Sequence, residues 1–149
     1  MSRGLERVEE YTGQMLRQRM QYLGSSYSAY MKEKERLEDL KDQERSNIMT
    51  ISSMEKKGAC AGDLKHLYAH AGYLRERISL QDTLVEKALK DFEEEKEKAL
   101  EASRENKIIK KAVAVRKMKT RLKAEVREQK ETDEAAAGIF RKFKTTVQA

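Results

Sequence analysis

His66 and His70 stand four residues apart, a spacing that on a helix puts two imidazoles on one face within reach of one metal ion. Asp63 or Glu76 would have to serve as the third ligand. Cys60 follows Lys56 and Lys57, and neighbouring cations lower a thiol pKa, yet no base with an orienting partner accompanies it. Gly58 and Gly62 lack both the Lys-Ser/Thr ending of a phosphate-binding loop and a strand before it. Each of these residues has a plainer reading, as a surface or seam-edge histidine, a turn cysteine and turn glycines. Choosing between the readings requires the elements that carry them.

Those elements follow from composition. The 149 residues are 39% charged, with no Trp, three Phe, no Pro and seven Gly. That supply is too poor in bulky apolar groups for a sheet-bearing core, but Ala, Leu, Met, Glu, Lys and Arg recur throughout and propagate helix well. One cysteine excludes an internal disulfide. The start, Met1-Ser2 followed soon by Glu6, Glu9 and Glu10, lacks a signal peptide's apolar run, and no stretch approaches the roughly 18 apolar residues of a membrane span. A soluble, cytoplasmic protein is expected.

Punctuation is concentrated at Lys56-Lys57-Gly58-Ala59-Cys60-Ala61-Gly62-Asp63. Gly62 would relax the backbone there and Asp63 would cap the next helix. The expected layout is one domain over 1–149, with a helix at about 3–55, a turn at about 56–63 and a helix at about 64–143. At ~1.5 Å per residue the arms would be roughly 80 and 120 Å long.

The second arm carries a series seven residues apart: Leu64, Ala71, Ile78, Val85, Phe92, Ala99, Asn106 and Val113. A companion series runs Leu67, Leu74, Gln81, Ala88, Glu95, Ala102 and Ile109. Alternating steps of three and four hold both on one stripe, the seam of a coiled coil. Gln81, Glu95 and Asn106 interrupt it, and they either fix register or contact a partner. On the first arm, Leu5, Val8, Thr12, Met15, Arg19 and Tyr22 follow a similar spacing. It is lost across Gly24-Ser25-Ser26 and resumes in Leu37, Leu40, Glu44, Ile48 and Ile51. A nearly continuous helix is expected through the gap, although small flexible residues also permit a kink.

Neither stripe is stable in water, and a short turn brings the two together at small entropic cost. The fold class is therefore all-α, a long antiparallel two-helix coiled-coil hairpin with a longer second helix. Leu64 and Leu67 should neighbour Ile51 and Met54, and Leu5, Val8 and Met15 should meet the second arm between Phe92 and Val113. The last 20 to 30 residues are then left without an intramolecular partner, and their apolar groups Met118, Leu122, Val126, Ile139, Phe140 and Phe143 need another protein or disorder. A hairpin offers no enclosing pocket, so no catalytic, cofactor-binding or metal residue, no cofactor and no small-molecule substrate are expected.

The formal charge is +6. Eight basic residues lie from Lys107 to Lys123 with no acid among them, downstream of Asp91, Glu93, Glu94, Glu95, Glu97 and Glu101. Such polarity suits docking to complementary protein surfaces. Nucleic acid is the weaker reading, because the run has no interleaved aromatics for stacking bases and no groove-reading motif. Tyr11, Tyr22, Tyr27 and Tyr30 suit the half-buried edge of a seam, whereas Tyr68 and Tyr73, near the hairpin tip, suit an interface.

The order of unequal helices, glycine-containing turn and basic second arm resembles the FliJ family of flagellar type III export proteins, with the YscO-type injectisome proteins as architectural relatives. The local matches are Leu74-x-x-x-Ile78-x-x-Gln81 followed by Val85 and Ala88, and Glu128-x-x-x-Thr132-Asp133-Glu134-Ala135 near the end. His70 stands where the family usually has an aromatic residue. The resemblance implies a non-enzymatic cytoplasmic protein like the central stalk of a rotary ATPase. It would bind the hexameric export ATPase, the export gate and export chaperones, and associate peripherally with the cytoplasmic face of the inner membrane through those partners. By position it offers Leu5, Val8, Met15, Arg116, Arg121 and Leu122 as ATPase contacts, and Tyr73, Leu74, Ile78 and Gln81 as export-gate contacts. A generic coiled-coil scaffold or adaptor, an injectisome stalk protein included, is the alternative.

Overall fold

The computed structural model describes residues 2–148, the side chains of 3–147 among them. Two helices, α1 (Ser2–Lys56) and α2 (Ala61–Gln148), account for all but four of these residues. They pack against each other as an antiparallel hairpin, and the second is the longer. No proline interrupts the backbone hydrogen bonds of either helix.

The turn is tighter than the glycine spacing suggests. Gly58 adopts the left-handed conformation, with φ of 70°. Its N–H donates to the Glu55 carbonyl at 3.1 Å, and the Ala59 N–H donates to the Met54 carbonyl at 3.0 Å. This pair of bonds satisfies the last carbonyls of α1 and requires the residue at Gly58 to accept positive φ, which a β-carbon disfavours. Gly62 has no such role, because α2 has already begun at Ala61. The N–H groups of Asp63 and Leu64 both donate to the Cys60 carbonyl, at 3.1 and 3.2 Å. Asp63 thus lies inside the first turn, where its carboxylate complements the positive end of the helix dipole.

The chain divides into two compact units, residues 15–103 and residues 2–14 with 104–148. In the first, every position of the double series from Leu64 to Ala102 is buried or half-buried, with Leu74 the most enclosed at 1% exposure. The inner face of α1 runs Leu16, Arg19, Leu23, Ser26, Tyr30, Glu33, Leu37, Leu40, Glu44, Asn47, Ile51 and Met54, an unbroken alternation of fours and threes. The seam therefore passes through Gly24-Ser25-Ser26 without a break. Tyr22 and Ile48, expected on the stripe, are exposed.

Two polar groups on this face, Asn47 and Glu33, find partners across the seam. The Asn47 amide donates to the Leu67 carbonyl at 3.2 Å, and the Gln81 amide donates to the Glu33 carbonyl at 2.9 Å and to its carboxylate at 2.5 Å. Phe92 packs against the rings of Tyr27 and Tyr30, with centroids 5.4 and 6.3 Å away. Near the turn the Tyr68 hydroxyl donates to the Glu55 carboxylate. On the facing stripe of α2, Glu95 holds one buried carboxylate oxygen without a hydrogen-bond partner.

In the second unit Leu5, Glu9 and Thr12 of α1 lie inward, with Asn106, Ile109 and Val113 of α2 as their half-buried or buried counterparts. Asn106 is only 3% exposed, and its amide donates to the Thr12 hydroxyl at 3.1 Å, which in turn donates to the Glu9 carbonyl at 3.0 Å. Val8, expected on the stripe, is 43% exposed and yields its place to Glu9. Beyond Val113, from 114 to 147, every described residue except Gly138 is exposed.

Candidate partner-binding site

Where the inner face of α2 outlasts its apolar partners, its residues change character. The register that gives Ile109 and Val113 continues through Arg116, Thr120 and Lys123. Arg116, Thr120 and Lys123 are all exposed, so basic residues carry little desolvation penalty there. The first turn of α1 and this stretch of α2 border an open cleft of about 360 Å³, lined by Leu5, Glu6, Val113, Arg116, Lys117, Thr120, Arg121 and Ala124. Leu5 and Val113 supply an apolar floor, while the three cations outnumber the single acid, Glu6.

Arg121 also approaches Glu125, at 4.0 Å, but both side chains are mostly in solvent. So exposed an ion pair is weak, on the order of 0.2–1 kcal/mol, and leaves the guanidinium available. An apolar floor rimmed by cations is suited to an apolar side chain flanked by carboxylates. It has no arrangement for bond chemistry. No group of three His, Cys, Asp or Glu side chains able to hold a metal occurs among the described residues, and His66 and His70 are both exposed.

Of the six ATPase-facing candidates, the structure brings Leu5, Arg116 and Arg121 into this one cleft. Val8 belongs to the same unit but is exposed outside the lining. Leu122 is exposed on the far side of α2, since its direction lies roughly half a turn from Val113 and Thr120 at about 100° per residue. Met15 is half-buried in the unit of residues 15–103. Glu6 and Lys117 were not singled out from sequence, although each sits one position from a candidate.

The four gate candidates separate by exposure. Tyr73 is exposed, stacked on His70 at 6.1 Å and approached by the Arg77 guanidinium at 5.9 Å. Leu74 and Gln81 are buried and Ile78 is half-buried, all three within the seam. What reaches solvent on the Tyr73 face is Leu80 and Leu84, which with Arg77 follow Tyr73 at steps of four, three and four. This second stripe was readable in the sequence but is masked by the stronger heptad beside it.

The family model for flagellar FliJ proteins matches residues 1–144, nearly the whole chain. The chain belongs to the flagellar FliJ family. No curated protein and no solved structure matches it. Proteins of this family are non-enzymatic structural and coupling factors, and membership gives the chain a general coupling role in flagellar protein export. A cytoplasmic location is consistent with that membership. Among the described residues no helix is long and apolar enough to cross a membrane.

Proposed function

We propose that the chain couples the flagellar export ATPase to the rest of the export apparatus, docking on the ATPase hexamer through the cleft formed by Leu5, Glu6, Arg116, Lys117 and Arg121. The convergence of Leu5, Arg116 and Arg121 on one apolar floor is the observation that carries this reading. A stiff helical pair presenting one such cleft contacts the subunits of a symmetric ring unequally, and that asymmetry biases the ring's assembly or nucleotide cycle. The phosphate chemistry belongs entirely to the ATPase. Val8 and Leu122 lie outside the cleft and take no part in this contact, and Met15 acts by supporting α1.

The export gate is assigned to the exposed Tyr73 face, with Arg77, Leu80 and Leu84 beside it. Tyr and Arg match the composition of binding hot spots, and the exposed leucines beside them add apolar area to the face. Leu74, Ile78 and Gln81 contribute there by holding α2 in register. Export chaperones are further partners, and association with the inner membrane runs through the gate.

Titration of the purified chain into the cognate export ATPase tests the reading. The chain alone should hydrolyse no ATP, and its addition should change the hexamer's turnover. Reversing Arg116→Glu and Arg121→Glu together should weaken binding by at least about tenfold, which corresponds to ~1.4 kcal/mol. Wild-type chain that neither binds nor alters hydrolysis would refute the proposal.

A further inference from the structure

Within residues 104–148, α2 carries a second heptad series: Ile108, Val115, Leu122, Gln129, Ala136 and Phe143, with Met118 and Ile139 at the intervening position. The large apolar members are between 52% and 70% exposed. At about 100° per residue, Val115, Met118 and Leu122 centre roughly half a turn from Val113, Arg116 and Thr120, so this seam backs onto the α1-facing cleft and is independent of it. A seven-residue repeat over this length specifies a helical partner.

We propose that this second seam pairs with the same seam of a second copy of the chain, antiparallel, about a two-fold axis near Arg127. The apolar residues fall into two patches, Val115 to Leu122 and Ala136 to Phe143, separated by the polar stretch from Glu125 to Thr132. In an antiparallel pair, the first patch of one copy meets the second patch of the other. Val115 then faces Ile139, Met118 faces Ala136 and Leu122 faces Thr132, each layer occurring twice, while Glu125 and Gln129 meet near the axis. Both orientations lay the polar stretch against itself, but a parallel pair would also align like charges along the whole seam.

Charge chooses the antiparallel copy as the occupant. Arg116, Lys117, Lys119, Arg121 and Lys123 border the first patch, and Glu128, Glu131, Asp133 and Glu134 precede the second. The two-fold lays these basic and acidic blocks alongside each other, with Lys119 beside Asp133 of the second copy. Opposed blocks of this kind set orientation in helical pairs. The outer ends, Lys110 and Lys111 against Arg141 and Lys142, repel, so pairing is confined to about residues 115–139.

Sedimentation velocity of the full chain over a concentration series tests this. The expected result is a reversible monomer–dimer equilibrium at micromolar to tens-of-micromolar protein, weakened by salt. Val115→Glu and Ile139→Glu should each abolish the dimer with helical circular dichroism unchanged. Lys119→Glu should weaken it several-fold, and adding Asp133→Lys in the same chain should restore it, a rescue that parallel pairing does not provide. A chain that stays monomeric throughout the series would overturn the proposal, as would a dimer indifferent to Val115→Glu and Ile139→Glu. So would a monomer that floats with phosphatidylglycerol vesicles and loses that binding in Ile139→Glu, because the face would then belong to lipid.

Discussion

Replacing Gln81 by alanine tests whether the polar groups of the seam hold it together or wait there for a partner. The side chain is 8% exposed, and its amide bonds both the carbonyl and the carboxylate of Glu33 across the hairpin. The carbonyl already serves the α1 ladder, so the main loss is the bond to the charged carboxylate, about 1.5–3 kcal/mol. Removing the packed methylene adds about 0.8 kcal/mol, and the total for Gln81→Ala is about 2–4 kcal/mol. For a chain of this size that corresponds to a fall in Tm of roughly 4–16 °C. Glu33 keeps Arg36 at 3.1 Å, but that arginine is largely in solvent and compensates little. Replacing both Gln81 and Glu33 by leucine removes donor and acceptor together, and the doubly apolar layer should be as stable as wild type or more so. Denaturant unfolding followed at 222 nm gives the full cycle, with an expected coupling energy of about 1–2 kcal/mol. A coupling energy below about 0.3 kcal/mol, or an unchanged midpoint in Gln81→Ala, would refute the argument.

Two further outcomes follow from the same geometry. Leu74→Ala, at 1% exposure, should cost about 2–5 kcal/mol, whereas Leu80→Ala, at 64% exposure, should stay within about 0.5 kcal/mol by the same unfolding assay and instead weaken gate binding. Tyr68 has its pKa raised above 10.0, first by the hydrogen bond to Glu55, then by desolvation and by the Glu55 charge. Folding thus favours the neutral phenol. The resulting stabilisation is fully present below pH 10 and is lost as pH rises through the raised value. Ultraviolet difference titration of wild type against Tyr68→Phe should show late ionisation, and Glu55→Gln should bring it back toward 10; an unchanged titration in Glu55→Gln would contradict the bond.

On α2 the seam was legible in full, because one heptad phase carries an apolar residue at nearly every position from Leu64 to Val113, and the three polar exceptions are too few to obscure it, although Leu80, Leu84, Leu100 and Ile108 lie off it and are exposed. On α1 apolar residues flank the seam. Val8 and Tyr22 lie one position before the seam residues Glu9 and Leu23, Ile48 lies one position after Asn47, and the seam itself is obscured by Ser26, Glu33 and Asn47. The candidate site was legible as a region and only partly as residues, since Leu5, Arg116 and Arg121 converge while Leu122 points away.

Composition, the absence of proline and the heptad of α2 were sufficient to determine two unequal helices that must bury a stripe against each other. Tertiary structure decided which stripe of α1 is used and which glycine makes the turn. The reason is that a helix with polar groups on its seam and apolar residues on either edge has no strong preference of its own. The phase is chosen by the facing helix, where Gln81 offers an amide to Glu33, the Leu67 carbonyl accepts from Asn47, and Phe92 receives Tyr27 and Tyr30.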